Sequence, residues 1–244
     1  MLLKVEALDA GYGEVQVLRA LSIEVNVGER VGVFGPNGHG KTTLLRSVSG
    51  LLRPWRGSIE FKGDSLVGMS PRQIVDRGLI HVPQGSVLFP RMTVGENLML
   101  GAYASRSWPH RKRSLDRVFG VFPRLAERRS QLVRTLSGGE RQMTALGMGL
   151  MGEPELLMLD EPTLGLAPVI KEVLARAIGE IAQSGVTLLM VDQDINMLLD
   201  VCQRQYLVER GMASLELKEG ERVREEQVLE MYFGVAAAAQ KARS

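Results

Sequence analysis

The chain has 244 residues, 45% of them apolar, with 30 basic and 28 acidic side chains and a net charge of +2. This composition supports a globular core, and the balanced charge argues against a nucleic-acid partner, which selects a strongly basic face. No run approaches the roughly 20 apolar residues that span a bilayer, and Glu6 stands where a signal peptide would be apolar, so we expect a cytoplasmic protein.

The first predicted elements are strands. Residues 2–7 and 17–25 are expected to form an antiparallel pair, and residues 30–34 are expected to form a short β-branched strand. A helix is predicted for residues 42–49, and it ends at Gly50, a residue that favours helix C-termini.

Later strands are predicted at residues 79–83, 156–159 and 187–191, and the last two are nearly continuous apolar runs, as in strands covered on both faces. From about residue 93 the β-branched runs disappear, which indicates a separate helical lobe. The alternation of strand and helix patterns predicts an α/β fold with a parallel sheet. The tail at residues 235–244 has no core pattern, and we expect it to be disordered.

Residues 35–43 lie between a predicted strand and a predicted helix and match the pattern G-x-x-x-x-G-K-[ST]. Glycines let backbone N–H groups wrap a phosphate, and the helix N-terminus adds its positive dipole end. Lys41 would supply a charge to the terminal phosphates of a nucleoside triphosphate, and the Thr42 hydroxyl can bind Mg²⁺, whereas His39 is expected to face solvent. The candidate phosphate-binding residues are Gly35, Pro36, Asn37, Gly38, His39, Gly40, Lys41, Thr42 and Thr43.

An acidic pair, Asp160 and Glu161, ends the apolar run at residues 156–159. At the carboxyl edge of a sheet, Asp160 can reach the Mg²⁺ shell beside Thr42. Glu161 lies one residue further on and faces differently, so it can orient or deprotonate an attacking water. The order of the phosphate loop and the acidic pair along the chain therefore predicts a nucleoside triphosphatase.

Residues 136–142 read Leu-Ser-Gly-Gly-Glu-Arg-Gln and precede a predicted helix at residues 140–150. A serine and two glycines that open a helix make a second anion-binding N-terminus. This segment resembles the LSGGQ signature of ABC ATPases, with Glu140 in the fifth position.

The resemblance to ABC ATPases, which covers nearly the whole chain, implies a mechanism in which two ATP molecules lie between two head-to-tail chains. Ser137, Gly138 and Gly139 would contact the γ-phosphate held by the opposite chain, and Tyr12 would stack on adenine. Gln84 matches the glutamine that senses Mg²⁺ and the γ-phosphate and relays to the permease. The implied cofactors are ATP and Mg²⁺.

The implied fold is a P-loop NTPase (RecA-like) core with a parallel sheet, an N-terminal antiparallel β subdomain and an inserted α-helical subdomain. We expect one ATPase domain at residues 1–234, with the helical subdomain at about 93–150. The resemblance and the acidic pair together give Glu161, Lys41 and Gln193 as catalytic residues, and Thr42, Gln84 and Asp160 as metal ligands.

Two positions depart from the usual ABC pattern. Ala167 stands where the loop after the catalytic glutamate normally ends in an acid, so coupling across the dimer must differ there. Gln193 replaces the common switch histidine, and a glutamine can bind phosphate but cannot carry a proton at neutral pH. These departures concern coupling more than ATP binding.

Three segments, at residues 11–18, 90–98 and 164–168, resemble the ATPases of branched-chain amino-acid importers, specifically the F-type subunit. Importers of urea, short amides or aromatic acids share these features, and Gln84 departs from the glutamate that the F-type often has. The implied partners are transmembrane permease subunits, a second ATPase subunit in a homo- or heterodimer and, indirectly, a periplasmic substrate-binding protein. The chain would then be peripheral on the inner face of a bacterial plasma membrane.

Two alternatives to the importer remain. The ATPase of a lipopolysaccharide-export system is similar around Gln84 and residues 201–202, although export relatives usually keep the acid and the histidine noted above. A non-transport ABC ATPase of the chromosome-maintenance type would need a long coiled-coil insertion, and a translation-factor type would need two cassettes. The chain has neither feature.

The surface also carries candidate contacts. Apolar residues within 85–99 either line the groove that receives a permease helix in relatives or belong to the core; they are Val87, Leu88, Phe89 and Met92. A cluster of basic residues in the helical lobe is expected to form a solvated helix face, and the alternative is contact with anionic lipid headgroups. Its members are His110, Arg111, Lys112, Arg113, Arg124, Arg128 and Arg129. The single cysteine, Cys202, is expected to be a buried small apolar residue.

Overall fold

The structure is a computed structural model that describes residues 1–85 and 87–217. The tail predicted at residues 235–244 lies outside this described part. Within it, no helix has the length and apolar character needed to cross a bilayer.

The strands of the described part are β1 (Leu3–Tyr12), β2 (Val15–Val25), β3 (Arg30–Phe34), β4 (Arg56–Phe61), β5 (Asp64–Ser65), β6 (Leu79–Val82), β7 (Leu156–Asp160), β8 (Thr187–Val191), β9 (Arg204–Glu209) and β10 (Met212–Leu217). The α-helices are α1 (Lys41–Val48), α2 (Pro71–Asp76), α3 (Val94–Gly101), α4 (Arg111–Val121), α5 (Pro123–Glu127), α6 (Gly138–Met151), α7 (Pro168–Gln183) and α8 (Ile195–Val201).

A six-stranded sheet in the order β10-β9-β3-β8-β7-β6 carries the site. Its pairs are parallel except that β10 runs antiparallel to β9. The predicted parallel sheet is therefore confirmed, and the strands predicted at residues 30–34, 156–159 and 187–191 are β3, β7 and β8. All five residues of β7 and of β8 are buried, as their apolar runs indicate.

The side chains of β7 alternate between two apolar clusters. Leu156 and Met158 join the cluster shared with α1 and the antiparallel sheet, whereas Leu157 and Leu159 join the cluster shared with α3 to α8. Because successive side chains of a strand point to opposite faces, one short apolar strand anchors both layers. The end of β7 is consequently held rigidly, and Asp160 is its last residue.

A four-stranded antiparallel sheet, β2-β1-β4-β5, covers one side of the molecule. The predicted pairing of the first two strands is confirmed by the antiparallel register of β1 with β2. β1 continues beyond the predicted end at residue 7 as far as Tyr12, because shifts in register between Val5 and Gly11 let the strand bend without losing its partner.

Between β6 and β7, the described residues form helices and connecting loops and no strand, as predicted for the inserted lobe. α3 begins at a capping box in which Thr93 and Glu96 satisfy each other's backbone N–H groups. α6 begins at a second capping box, formed by Ser137 and Glu140, so it starts two residues earlier than predicted. A shared apolar cluster packs α6 against α3, α4 and α5.

Four strands were not predicted from the sequence: β4, β9 and β10 are short and mix polar with apolar residues, and β5 has only two residues, both polar. Cys202 follows α8 and is buried, as expected, and burial raises the pKa of its thiol to about 12. It therefore behaves as a small apolar side chain rather than as a nucleophile.

Candidate functional site

The order of the strands brings four predicted motifs to one edge of the sheet. β3, β8, β7 and β6 are parallel neighbours, so their carboxyl ends meet there. The phosphate loop follows β3, Gln193 follows β8, Asp160 ends β7 and Gln84 follows β6. Ligands of open α/β sheets bind at this edge.

The phosphate loop wraps the ammonium group of Lys41. Lys41 Nζ donates to the carbonyl oxygens of Gly35 at 2.7 Å and of Pro36 at 3.1 Å, and the side chain is only 4% exposed. Gly40 caps α1 with φ of 109°, a left-handed conformation that favours glycine. Burial lowers the pKa of Lys41, although the nearby carboxylates of Glu161 and Asp160 oppose this effect.

His39 is half-buried, so the expectation that it faces solvent is wrong. Its Nδ1 accepts a hydrogen bond from the backbone N–H of Arg210 at 3.2 Å, and its backbone carbonyl accepts from Gly211 at 3.1 Å. The β9–β10 turn holds the ring in this position. His39 and Arg210 are 171 residues apart in the sequence, so no local sequence pattern predicts this contact.

Because the His39 ring is engaged with the β9–β10 turn, we expect His39→Ala to leave ATP affinity within about threefold of the unaltered chain. The substitution removes one hydrogen bond to a backbone N–H, a contact of about 1 kcal/mol that supports the turn rather than the ligand. Equilibrium titration with a fluorescent ATP analogue measures the affinity. A loss comparable to that of a Lys41 variant would instead assign the ring to the phosphates.

Asp160 and Thr42 meet at the base of the site. The Thr42 hydroxyl donates to Asp160 Oδ1 at 3.1 Å, and Asp160 is 2% exposed. Burial raises the pKa of Asp160 to about 6, and the hydrogen bond from Thr42 only partly offsets it. A hydroxyl and a carboxylate side by side offer two oxygen ligands of the kind that Mg²⁺ prefers.

Because the pKa of Asp160 is raised, we expect Asp160→Asn to be a stabilising substitution. Between about pH 4 and pH 6 the folded chain keeps a proton on Asp160 that the unfolded chain has released. The ionised carboxylate therefore lowers the stability of the folded chain by its full amount above about pH 6, and not at all below about pH 4. We expect the variant to gain roughly 1–3 kcal/mol at pH 7.5, seen as a Tm higher by several degrees. The gain should shrink steadily between pH 6 and pH 4.

Differential scanning fluorimetry of the nucleotide-free protein across this pH range measures the effect. Asp116→Asn, on the exposed face of α4, is the matched control and should leave Tm unchanged. A variant that melts below the unaltered chain at pH 7.5 would contradict the assigned cost of the buried charge.

Two glutamine side chains hold the carboxylate of Glu161. Gln84 Nε2 donates to Glu161 Oε2 at 2.8 Å, and Gln193 Nε2 donates to Oε1 at 2.9 Å. The backbone of Glu161 adopts φ of 47°, a strained conformation for a residue with a side chain, and its N–H bonds to Val191 at 2.7 Å. Gln193 also lies 3.5 Å from Asn37 of the phosphate loop, which links that loop to the carboxylate.

An open cavity of about 600 Å³ lies over these groups. It is lined by Tyr12, Val17, Asn37, Gly38, Gly40, Lys41, Thr42, Thr43, Gln84, Glu161, Leu164 and Gln193. Tyr12 stands at its rim, where its hydroxyl accepts a hydrogen bond from Arg46 at 3.2 Å. A guanidinium from the last turn of α1 therefore fixes the ring, a role for Arg46 that the sequence did not suggest.

The signature residues are separate from this cavity. Ser137, Gly138 and Gly139 open α6 and do not line it. A Cβ on Gly139 would come within 2.7 Å of Ile170, so packing explains this glycine, whereas a Cβ on Gly138 would meet only Leu166 at 3.8 Å. The chain itself therefore gives no packing reason for Gly138, and an external group can approach its backbone closely.

Two further contacts hold the loops around Glu161 and were missed from the sequence. The Thr163 hydroxyl donates to the buried Asp192 at 2.7 Å, and Lys171 forms an ion pair of 2.7 Å with Asp194. They join the segment after β7 to the segment after β8. Gln193 lies between the two aspartates, so these contacts limit its movement.

A second cavity, of about 360 Å³, has mostly apolar walls and lies between β6 and α6. Val87 lines it and is 69% exposed, and Phe89 is also exposed, whereas Leu88 packs on the core. His81 lines it as well: Nδ1 contacts Ser49 Oγ at 3.1 Å, and Nε2 is buried without a partner among the described residues. Burial, with the charge of Arg46, lowers the pKa of His81 to about 4, so the ring is neutral.

The basic residues of the helical segment are only partly a solvated face. Arg113 pairs with Glu153 at 3.0 Å, and Arg111 lies over the ring of Trp108. Arg124 and Arg128 both approach Glu140. The expected solvated face is confirmed for Arg113 and Arg124, whose side chains are 76% and 55% exposed despite these ion pairs. It is wrong for Arg128, which is only 29% exposed because it packs against Glu140.

Comparison with known proteins identifies the family of the chain. The family model described as ABC transporter matches residues 18–164. The chain is 40% identical to the high-affinity branched-chain amino acid transport ATP-binding protein BraG of Pseudomonas aeruginosa, over 86% of this chain and 90% of that protein. It is 32% identical to the lipopolysaccharide export system ATP-binding protein LptB of Haemophilus influenzae, over 96% of this chain and 97% of the relative.

Among solved structures, the ADP conformation of an ATP-binding cassette of an ABC transporter superposes with a TM-score of 0.82 and 25% identity, covering 96% of this chain and 98% of the other. An ATP-binding subunit of an ABC transporter gives a TM-score of 0.79 at 28% identity, over 96% and 94% of the two chains. The chain therefore belongs to the ABC transporter family, as an ATP-binding cassette ATPase.

Proposed function

We propose that the chain hydrolyses ATP at this sheet edge to drive a membrane permease, and that the catalytic carboxylate is Glu161. The observation that carries the proposal is the position of Glu161, which two amide donors orient beside the phosphate loop. The water oxygen attacks the γ-phosphorus while the bond to the bridging β–γ oxygen breaks, which yields ADP and inorganic phosphate. Glu161 orients this water and accepts its proton.

The residues at the base of the cavity suit Mg²⁺ bound to nucleotide phosphates. Such an ion takes one or two protein ligands and fills its remaining positions with water and phosphate oxygens. Thr42 and Asp160 already lie within hydrogen-bonding distance of one another, and Gln84 is near. The ion would neutralise charge on the phosphates, and Lys41 adds its own charge from inside the loop.

Completion of the site requires a second ATPase chain in this proposal. Ser137, Gly138 and Gly139 lie outside the cavity of their own chain, and the space over Gly138 is free. A head-to-tail dimer would place this turn on the γ-phosphate of a nucleotide bound to the partner. Tyr12, steadied by Arg46, would stack on the adenine.

The transported substrate is proposed to be a branched-chain or related amino acid. The support is the 40% identity to BraG across most of both chains. The alternative, a role in lipopolysaccharide export, is supported by the 32% identity to LptB. Under either hypothesis the apolar cavity beside β6, with the exposed Val87 at its rim, suits a cytoplasmic helix of the permease.

Affinity purification of the chain from detergent-solubilised native membranes, with partners identified by mass spectrometry, tests the importer proposal. We expect two polytopic permeases and a second, similar ATPase, after which the periplasmic binding protein of the same system can be screened for its amino acid. Recovery of lipopolysaccharide-export components would replace the importer with the exporter. Recovery of soluble proteins alone would overturn both transport proposals.

A further inference from the structure

The signature turn of this chain contains a carboxylate. Glu140 Oε2 accepts a hydrogen bond from the Ser137 N–H at 2.9 Å, and the Glu140 N–H donates to Ser137 Oγ at 3.3 Å. Burial raises the pKa of Glu140, but the bonds from Ser137 and the charges of Arg128 and Arg124 outweigh it and hold the pKa below its usual value. The side chain is therefore ionised at neutral pH.

This carboxylate has opposing consequences for the helix and for a ligand. A negative charge in the first turn stabilises α6 because it complements the helix dipole. The same charge repels any anion that approaches the N-terminus from outside, and a nucleotide phosphate is such an anion. A turn that both contains Glu140 and receives a γ-phosphate needs compensating positive charge.

Two arginines supply that charge, Arg124 from α5 and Arg128 from the position directly after α5. Arg128 Nε lies 2.5 Å from Glu140 Oε1, although its N–H is not aligned with this oxygen, so the contact is an ion pair rather than a directed hydrogen bond. Arg124 Nε lies 3.5 Å from the same oxygen. Arg128 is the more buried of the two and is fixed by a bond to Gln131 at 2.6 Å, whereas Arg124 also pairs with Glu127 at 2.7 Å.

We propose that Arg128, assisted by Arg124, is a positioning residue for ATP turnover. It neutralises and immobilises Glu140, so that the Ser137–Gly138 turn can accept the γ-phosphate of a nucleotide bound to the facing chain. The inference rests on the proposed role of the signature turn. It adds that the C-terminal end of α5, through Arg128, sets the charge of this turn.

The test compares ATP turnover as a function of ATP concentration for Arg128→Gln, Glu140→Gln and the double variant. We expect Arg128→Gln to raise the apparent KM about five- to tenfold, since it leaves a carboxylate facing the phosphate, and to change kcat by less than about twofold. The double variant should return close to the KM of the unaltered chain. Glu140→Gln alone should keep or lower the KM.

A control variant and the double variant together separate an effect of charge from an effect of structure. Arg113→Gln breaks a comparable ion pair with Glu153 in the same helical segment and should leave KM unchanged. A double variant no better than Arg128→Gln would overturn the inference, because a merely structural role of Arg128 is not rescued by removing a charge.

Gly138→Asp separates this inference from the proposed function, because a Cβ there would meet only Leu166 at 3.8 Å and we expect the chain still to fold. Loss of turnover in Gly138→Asp with an unaffected Arg128→Gln would sink only the inference. Full turnover in both variants would sink the proposed signature contact, and with it the role of Arg128.

Discussion

Glu161→Gln is expected to lower ATP turnover at least about 100-fold while ATP binding stays within about threefold. An amide has nearly the shape of the carboxylate but cannot accept a proton from water. The amide also has one acceptor oxygen where the carboxylate has two. The side-chain N–H group of either Gln84 or Gln193 would therefore face the new NH₂ group, unless the amide of that glutamine rotates. The substitution leaves the phosphate loop itself unchanged.

Release of inorganic phosphate measures turnover, and titration with a fluorescent ATP analogue measures binding. Glu172→Gln is the matched control because this glutamate lies on the exposed side of α7. Turnover at the unaltered rate in Glu161→Gln would remove this residue as the catalytic base. A parallel loss of binding and turnover would instead give the carboxylate a structural role.

Lys41→Ala is expected to weaken ATP binding roughly 100-fold, which corresponds to about 3 kcal/mol. Charge-assisted contacts to phosphate contribute about 1.5–3 kcal/mol each, and the ammonium can reach more than one phosphate. The loss also removes a positive charge that interacts with the buried carboxylates of Asp160 and Glu161, which increases the repulsion of an anionic ligand.

The same titration measures the affinity of this variant, and Lys62→Ala is its control. Lys62 is half-exposed and pairs with Glu155 on the surface, away from the cavity. We expect the control to bind ATP normally. An affinity within about threefold in Lys41→Ala would contradict the proposed phosphate contact.

The sequence was most informative where the constraint is local. The phosphate loop must join a strand to a helix, so its pattern predicted β3, α1 and the position of Lys41 together. The apolar runs at residues 156–159 and 187–191 predicted buried parallel strands because only strands covered on both faces lack polar alternation. With the strand order of the sheet, these elements account for the meeting of Asp160 with Thr42.

The features that were missed depend on contacts between distant segments. The clamp on Glu161 joins it to Gln84 and Gln193, which are 77 and 32 residues away. The ring of His39 is captured by a turn 171 residues later. Short edge strands such as β10 mix polar and apolar residues and gain their stability from neighbours, so a pattern of residues alone does not identify them.

Burial of the only cysteine has a practical consequence for spectroscopy. Cys202 directly follows α8 and is buried, and a pKa raised to about 12 keeps its thiol protonated at the pH values used for labelling. Maleimides and spin labels react with thiolates and should leave it untouched. A cysteine introduced on the surface of the native sequence is therefore labelled alone, and pairs of such sites can report distances between the helical segment and the sheet as nucleotide is added.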